Sequence, residues 1–129
     1  MQLEPGLAGA SIQADVIGVT KEKMATLDAI PVSKYWQSPG ARQTFAAKSF
    51  RFGAGAASTQ TLPANDPAWS QWGSPTDVVV LVDLPGVFDD LPGAADPRRK
   101  TISLDASKRG GSGPIKLQIQ PGGVQVVSP

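Results

Sequence analysis

The sequence predicts an all-β fold: an antiparallel β-sandwich of about seven strands with one or two short helical inserts. Residues 78–82 (VVVLV) form an apolar, largely β-branched run before Asp83, which is typical of a strand buried on both faces of a sheet. Glycine (14) and proline (12) are frequent among the 129 residues and divide the chain into short elements. No alternation of strands with long helices appears. We expect a flexible N-terminal lead over residues 1–10 and a single sandwich domain over 11–129.

The first half of the domain combines strands with one helical insert. Residues 11–19 (SIQADVIGV) are rich in β-branched residues and predict the first strand. Thr20 is a suitable N-cap for a short helix over 21–29, which Pro31 ends. Residues 43–52 (QTFAAKSFRF) predict the next strand, with its last aromatic side chains on one face.

The middle of the chain contains a second insert before the central strand. Residues 58–62 predict a short polar strand at a sheet edge. Asp66 followed by Pro67 is a favourable helix start, so we expect a short helix there. Residues 77–84 form the central strand, and the alternating residues 100–104 (KTISL) follow it as a half-buried strand.

The end of the chain predicts a hairpin. Residues 115–120 alternate apolar and polar side chains, as in a strand with one buried face. Pro121-Gly122-Gly123 predicts a turn, and residues 124–127 return as the partner strand.

One segment resembles part of a nucleotide-binding signature. Residues 83–86 (DLPG) have the Asp-x-x-Gly pattern that many GTPases place after a strand. A phosphate-binding loop requires glycines, a lysine and a following helix, and the nearest candidate, residues 53–58 (GAGAAS), has no lysine. We therefore interpret residues 83–86 as a strand end and a turn.

Composition excludes several classes of function. The net charge is +1, and the main basic run, Arg98-Arg99-Lys100, is interpreted as a solvated strand entry, so we expect no nucleic-acid partner. Cysteine and histidine are absent, which excludes disulfides and zinc sites built on those residues. We expect no catalysis and no cofactor, and no apolar run approaches the roughly 20 residues that span a membrane.

Two sets of residues are candidate sites. All three tryptophans and the single tyrosine lie in the helical inserts and are candidates for partner binding: Tyr35, Trp36, Trp69 and Trp72. The alternative interpretation is that they pack these inserts over the open ends of the sandwich. A cluster of aspartates near one loop is a candidate calcium site: Asp83, Asp89, Asp90 and Asp96. The alternatives for these aspartates are solvated turns and a pair between Asp83 and Arg98 or Arg99.

The order of features after residue 77 resembles one known family. The segments are VVVLVDLPG (78–86), DPRRKTISL (96–104), IKLQI (115–119) and GVQVV (123–127). Their order is similar to that of the outer-membrane lipoprotein of the bacterial type VI secretion membrane complex. The resemblance implies a small β-sandwich with a helical insert. The chain also resembles uncharacterised exported bacterial proteins.

The composition predicts a non-catalytic module, and the resemblance implies that it belongs to the bacterial envelope, in the periplasm or at the outer membrane. Its partner would be another protein of an envelope or secretion assembly. Because the chain has no cysteine, we expect any lipid anchor to lie upstream of residue 1. The alternatives are a calcium-dependent binding domain that uses the Asp83–Asp96 loop, and a subunit of a phage or filament assembly.

Overall fold

A computed structural model describes residues 1–3, 11–37, 39–53, 59–63, 65–84, 88–105 and 116–128. The strands in these ranges are β1 (Gln2–Leu3), β2 (Ile12–Val19), β3 (Lys48–Phe52), β4 (Asp77–Asp83), β5 (Arg99–Ser103), β6 (Lys116–Gln120) and β7 (Gly123–Ser128). The helices are α1 (Lys21–Asp28), α2 (Val32–Gln37), α3 (Pro39–Thr44) and α4 (Pro67–Trp72), with a 3-10 turn at Gly93–Ala95.

The strands form two sheets, and the fold is mostly β. The larger sheet has four antiparallel strands in the order β3-β2-β4-β5. The smaller sheet has the order β1-β6-β7, in which β6 and β7 form the expected antiparallel hairpin and β1 runs parallel to β6.

Strand β4 is the centre of the larger sheet, as its apolar run predicts. It pairs with β2 on one side and β5 on the other, and its first six residues are buried. Successive side chains point to opposite faces of a strand, so Val80 and Val79 belong to two different hydrophobic clusters. The larger sheet is therefore covered on both faces.

Helices cover one face of the larger sheet. We call it the helix face. Its cluster contains Leu27 of α1 and Val32 of α2 against Val79 and Leu81 of β4. Thr20 caps α1 by accepting a hydrogen bond from the Lys23 backbone N–H, as predicted.

The smaller sheet and α4 cover the opposite face, which we call the inner face. Leu117 and Ile119 of β6 share a cluster with Val16 and Val80 of the larger sheet. Helix α4 begins with the predicted cap: Asp66 accepts a hydrogen bond from the Ala68 backbone N–H and is followed by Pro67.

The two sheets are joined along both sides. On one side, Thr59 forms a single antiparallel bridge with Gln2 of β1, and the adjacent Gln60 side chain donates to the Arg51 carbonyl of β3. On the other side, the Val124 N–H of β7 donates to the Pro97 carbonyl, 3.0 Å away, just before β5. These contacts cover strand edges that would otherwise present unpaired backbone groups.

Some elements differ from the sequence-based expectations. Residues 43–44 end helix α3 rather than begin a strand, and β3 starts at Lys48. Of the expected strand 58–62, residue 58 lies outside the described residues, and residues 59–62 contribute the bridge at Thr59 instead of a strand. Residues 2–3 of the expected lead form β1, whereas residues 4–10 and the Pro85-Gly86 turn lie outside the described residues.

Candidate functional site

An arginine joins two of the predicted calcium residues in the loop between β4 and β5. Arg98 Nη2 lies 2.8 Å from Asp90 Oδ1 and 2.8 Å from Asp96 Oδ2, and Arg98 Nε donates to Asp96 Oδ1 at 3.0 Å. The planar guanidinium matches the two oxygens of Asp96. We call residues 88–98, which contain this network, the docking loop.

Burial and charge fix the protonation states of this network. Burial by itself would raise the pKa of Asp96, but hydrogen bonds from the Arg98 side chain, the Arg98 N–H and the Leu91 N–H hold that pKa below its ordinary value. Hydrogen bonds from Ser33, and then from Arg98, also lower the pKa of Asp90. The bond to Asp96 raises the pKa of Arg98. The network is therefore a stable arrangement of one cation between two carboxylates near neutral pH.

The same network fixes the backbone of the loop and ties it to helix α2. The Ser33 N–H donates to Asp90 Oδ1 at 3.0 Å, and the Ser33 hydroxyl donates to Asp90 Oδ2. Leu91 donates its N–H to Asp96 Oδ2 at 3.3 Å, while its side chain is 43% exposed, more than any other large hydrophobic side chain in the described ranges. The loop thus presents an apolar side chain on a backbone held by hydrogen bonds.

The structure brings Asp90 and Asp96 together through Arg98, and it leaves Asp83 and Asp89 exposed. Asp83 is the last residue of β4. Within the described part of the chain, no three His, Cys, Asp or Glu side chains are grouped so that they would hold a metal ion. A guanidinium occupies the position between the two carboxylates, and calcium binding by this loop stays a prediction.

The interpretation of Arg98-Arg99-Lys100 as a solvated strand entry was wrong for both arginines. Arg98 is 8% exposed and Arg99 is 2% exposed. Arg99 crosses the helix face and donates to the Leu27 and Ile30 carbonyls at the end of α1, with Asp28 Oδ1 3.5 Å away. These partners come from a helix about 70 residues earlier in the chain, so local sequence contains no signal for them.

The four aromatic candidates divide between the two faces of the larger sheet. Tyr35 and Trp36 pack edge to face on the helix face, with ring centroids 5.1 Å apart. Trp69 and Trp72 do the same on the inner face at 5.0 Å. Tyr35 and Trp72 are buried, whereas Trp36 and Trp69 keep partial exposure. Partner binding by these residues stays a prediction. Of the four, Trp36 and Trp69 have side chains that are accessible to a partner.

A buried carboxylate on the helix face was missed by the sequence reasoning. Asp15 of β2 is fully buried and accepts hydrogen bonds from Tyr35 Oη (2.6 Å), Arg42 Nε (2.7 Å) and Ser49 Oγ (2.7 Å). Burial, and then the bond to Asp15, raise the pKa of Tyr35. Arg42 also lies over the Trp36 ring at 5.3 Å from its centroid. The sequence signal was an aspartate inside a largely apolar strand.

This second network, which we call the Asp15 network, joins strands β2 and β3 to helices α2 and α3. Every donor around the carboxylate is a side chain from a different element. A network of hydrogen bonds around a buried carboxylate fixes the relative positions of the elements that supply its donors. The Asp15 network therefore holds helices α2 and α3 against the helix face of the sheet.

Comparison of the chain with protein-family models, with curated proteins and with solved structures gave no match. Among the described helices, none combines the length and the apolar character needed to cross a membrane.

Proposed function

We propose that this protein is a non-catalytic β-sandwich that binds another protein of the bacterial envelope through its docking loop. The observation that supports this most is the exposed Leu91 on a loop held by the Asp90–Arg98–Asp96 network. In this proposal the two sheets form the sandwich, and the helices on the helix face of the larger sheet position the loop.

The physical advantage of such a loop is preorganisation. A binding loop that is ordered beforehand loses less conformational entropy when the partner binds. Three of the hydrogen bonds that order the loop involve backbone N–H groups, those of Ser33, Leu91 and Arg98. Helix α2 carries Ser33 and, one turn later, the partly exposed Trp36, an aromatic side chain of the type enriched in binding hot spots.

The class of partner follows from the resemblance in feature order to the outer-membrane lipoprotein of the type VI secretion membrane complex. On that basis we propose a component of an envelope or secretion assembly as the partner. Localisation to the periplasm or outer membrane is part of the same proposal.

The test is affinity capture from envelope extracts of the source organism with three immobilised proteins: wild type, Leu91→Asp and Gln71→Asp. Gln71 is exposed on α4, so its variant controls for an added surface charge. We expect wild type and Gln71→Asp to enrich the same protein and Leu91→Asp to lose it by tenfold or more. Equal enrichment by all three proteins would contradict docking through Leu91.

A calcium-dependent binding domain is the second candidate, because Asp90 and Asp96 converge in one loop. Thermal unfolding with calcium and with a chelator distinguishes the two functions. The protein-docking proposal predicts the same melting temperature in both conditions. A rise with calcium that disappears when Asp89 and Asp90 are replaced by Asn would favour the calcium site. Asp90→Asn also removes hydrogen bonds to Ser33 and Arg98 and so lowers the melting temperature by itself. The calcium-induced rise in melting temperature, and not the melting temperature, is therefore compared between wild type and variant.

A subunit of a phage or filament assembly is the remaining alternative from the sequence. Light scattering at high protein concentration addresses it directly. A monomer over the whole concentration range supports the docking module, and growth into long assemblies supports the subunit.

A further inference from the structure

The inner face of the larger sheet contains a cavity of about 520 Å³. It lies between the two sheets, because residues of both line it. The apolar lining residues are Met1, Val16, Phe50, Leu62, Trp69, Val78, Val80, Ile102, Leu104 and Leu117, and the polar ones are Gln2, Thr59, Gln60, Thr61 and Lys116.

The two kinds of lining residue occupy different places in the cavity. Apolar side chains of the sheets, such as Val16, Val80 and Ile102, are buried and form its inner wall. Lys116, by contrast, is exposed, as are Gln2 and the threonines at 59 and 61. The cavity therefore has an apolar interior and a polar rim, the distribution that is typical of small-molecule sites.

The size of the cavity also argues for an occupant. Ligand sites range from about 300 to 1,000 Å³, and the volume here falls within that range. Water is a poor occupant of the inner wall, because aliphatic side chains offer it no hydrogen bonds. An alkyl chain can contact the apolar wall without losing hydrogen bonds.

The rim selects the head group of such a molecule. Lys116 has the charged side chain among the described residues that line the cavity, and it is exposed at the rim. Met1, which also lines the cavity, carries the N-terminal ammonium, which donates to the Gln60 carbonyl at 2.7 Å. The neighbouring rim residues Gln60, Thr59 and Thr61 are polar but neutral. We propose that this cavity binds an amphiphile with a single alkyl chain and an anionic head group, with the chain between the sheets and the head group at Lys116. This site is separate from the docking loop.

The first experiment is titration with laurate and with dodecanol, both below their aggregation concentrations. Binding is followed by tryptophan fluorescence and by the melting temperature. We expect both to bind and to raise the melting temperature, because both fill the apolar interior. Trp69→Phe should lose most of the fluorescence change and Trp36→Phe should keep it, since Trp69 lines the cavity and Trp36 packs on the helix face. If neither ligand binds, the proposal is wrong.

The second experiment tests the head group. Lys116→Gln should weaken laurate binding about threefold to fivefold, the scale of an exposed ion pair, and leave dodecanol binding unchanged. Lys23→Gln is the matched control, because Lys23 is an exposed lysine on α1 at the other face of the sheet. Equal affinity of wild type and Lys116→Gln for laurate would overturn the role of the anionic head.

The third experiment tests the location of the chain. Val80→Phe places a larger side chain inside the cavity and should reduce the affinity for both ligands tenfold or more. A folded Val80→Phe protein that binds laurate as wild type does would overturn the assignment to this cavity. If that variant does not fold, the Trp69→Phe and Trp36→Phe pair decides the location by itself.

Discussion

The two faces of the larger sheet are filled in different ways. On the helix face, the polar side chains Asp15 and Arg99 are buried among apolar ones. Asp15 accepts hydrogen bonds from three side chains, and the Arg99 Nη atoms donate to carbonyls at the end of α1, whereas Arg99 Nε has no hydrogen-bond partner among the described residues. On the inner face, a cavity of about 520 Å³ has an apolar inner wall and a polar rim. One sheet thus supports a face closed by specific hydrogen bonds and a face with room for a ligand. Specific polar contacts fix the relative positions of the helices and the sheet. An apolar surface that its neighbours do not fill leaves a cavity in which a small molecule has room to bind.

Breaking the Asp15 network should produce the largest loss of stability. Arg42→Met keeps the apolar stem of the side chain but leaves the carboxylate of Asp15, which is 0% exposed, without its cation. We expect the free energy of unfolding to fall by about 3 kcal/mol in urea denaturation. Arg51→Met is the control on the adjacent strand, where the side chain is exposed, and should change stability by no more than about 0.5 kcal/mol. Equal effects would show that the network does not stabilise the helix face.

Packing is tight at one end of the inner face. A Cβ atom at Gly18 of β2 would lie 2.6 Å from Cε3 of Trp72, so Gly18→Ala forces α4 away from the sheet. We expect a cost of about 1–3 kcal/mol in the same denaturation assay. Gly122→Ala, where nothing lies within 4 Å, should cost about 0.5 kcal/mol or less. If Gly18→Ala leaves the free energy of unfolding unchanged, α4 does not hold this position against the sheet.

A neighbouring pair of valines compares the two faces directly. Val79 faces the helices and Val80 faces the cavity, and both are at most 1% exposed. Val79→Leu should cost about 1–3 kcal/mol, because the extra methylene enters a close-packed region. Val80→Leu should cost less than about 1 kcal/mol or stabilise the protein, since the cavity can accept the added volume. If calorimetry gives the same melting temperature for both variants, the two faces are packed alike.

The smallest of these effects on stability should come from acid acting on the docking loop, because Asp90 is partly exposed to water. The pKa values of Asp90 and Asp96 are lowered on folding, so the unfolded chain binds more protons near their ordinary value of 3.8. The loop's contribution to stability is complete above about pH 5 and is lost as the pH falls below 3.8 through the lower folded values. The melting temperature of wild type should decrease more over this window than that of Arg98→Gln. Parallel pH curves for the two proteins would contradict a stabilising network.

The sequence predicted the parts of the fold whose signals are local. The apolar run around Val80 predicted a central strand buried on both faces, and the structure confirms it. Thr20 and Asp66 predicted helix starts, because an N-cap bonds to backbone only a few residues away. The alternation in residues 116–120 predicted the final hairpin for the same reason.

The candidate site was predicted only in part. The aspartates of the loop were recognised as a cluster, but Arg98 was interpreted as a solvated residue and Leu91 was not noticed. Several arginines and aspartates lie close together in this part of the sequence, so the sequence allows several ion pairs. The folded structure decides which of these pairs form. Ser33, which completes the network, is 57 residues from Asp90 in the chain.

By itself, the sequence determined the β-rich class, the central strand, the helix starts and the hairpin, because these depend on periodicity and on contacts within a few residues. Only the tertiary structure decided that residues 43–44 end a helix, that Arg99 is buried, that Asp15 binds three side chains and that a cavity lies between parts of the two sheets. Each of these depends on which distant surfaces meet. A buried charge is stable only beside partners that the chain brings to it, and a cavity exists only between elements that pack around it.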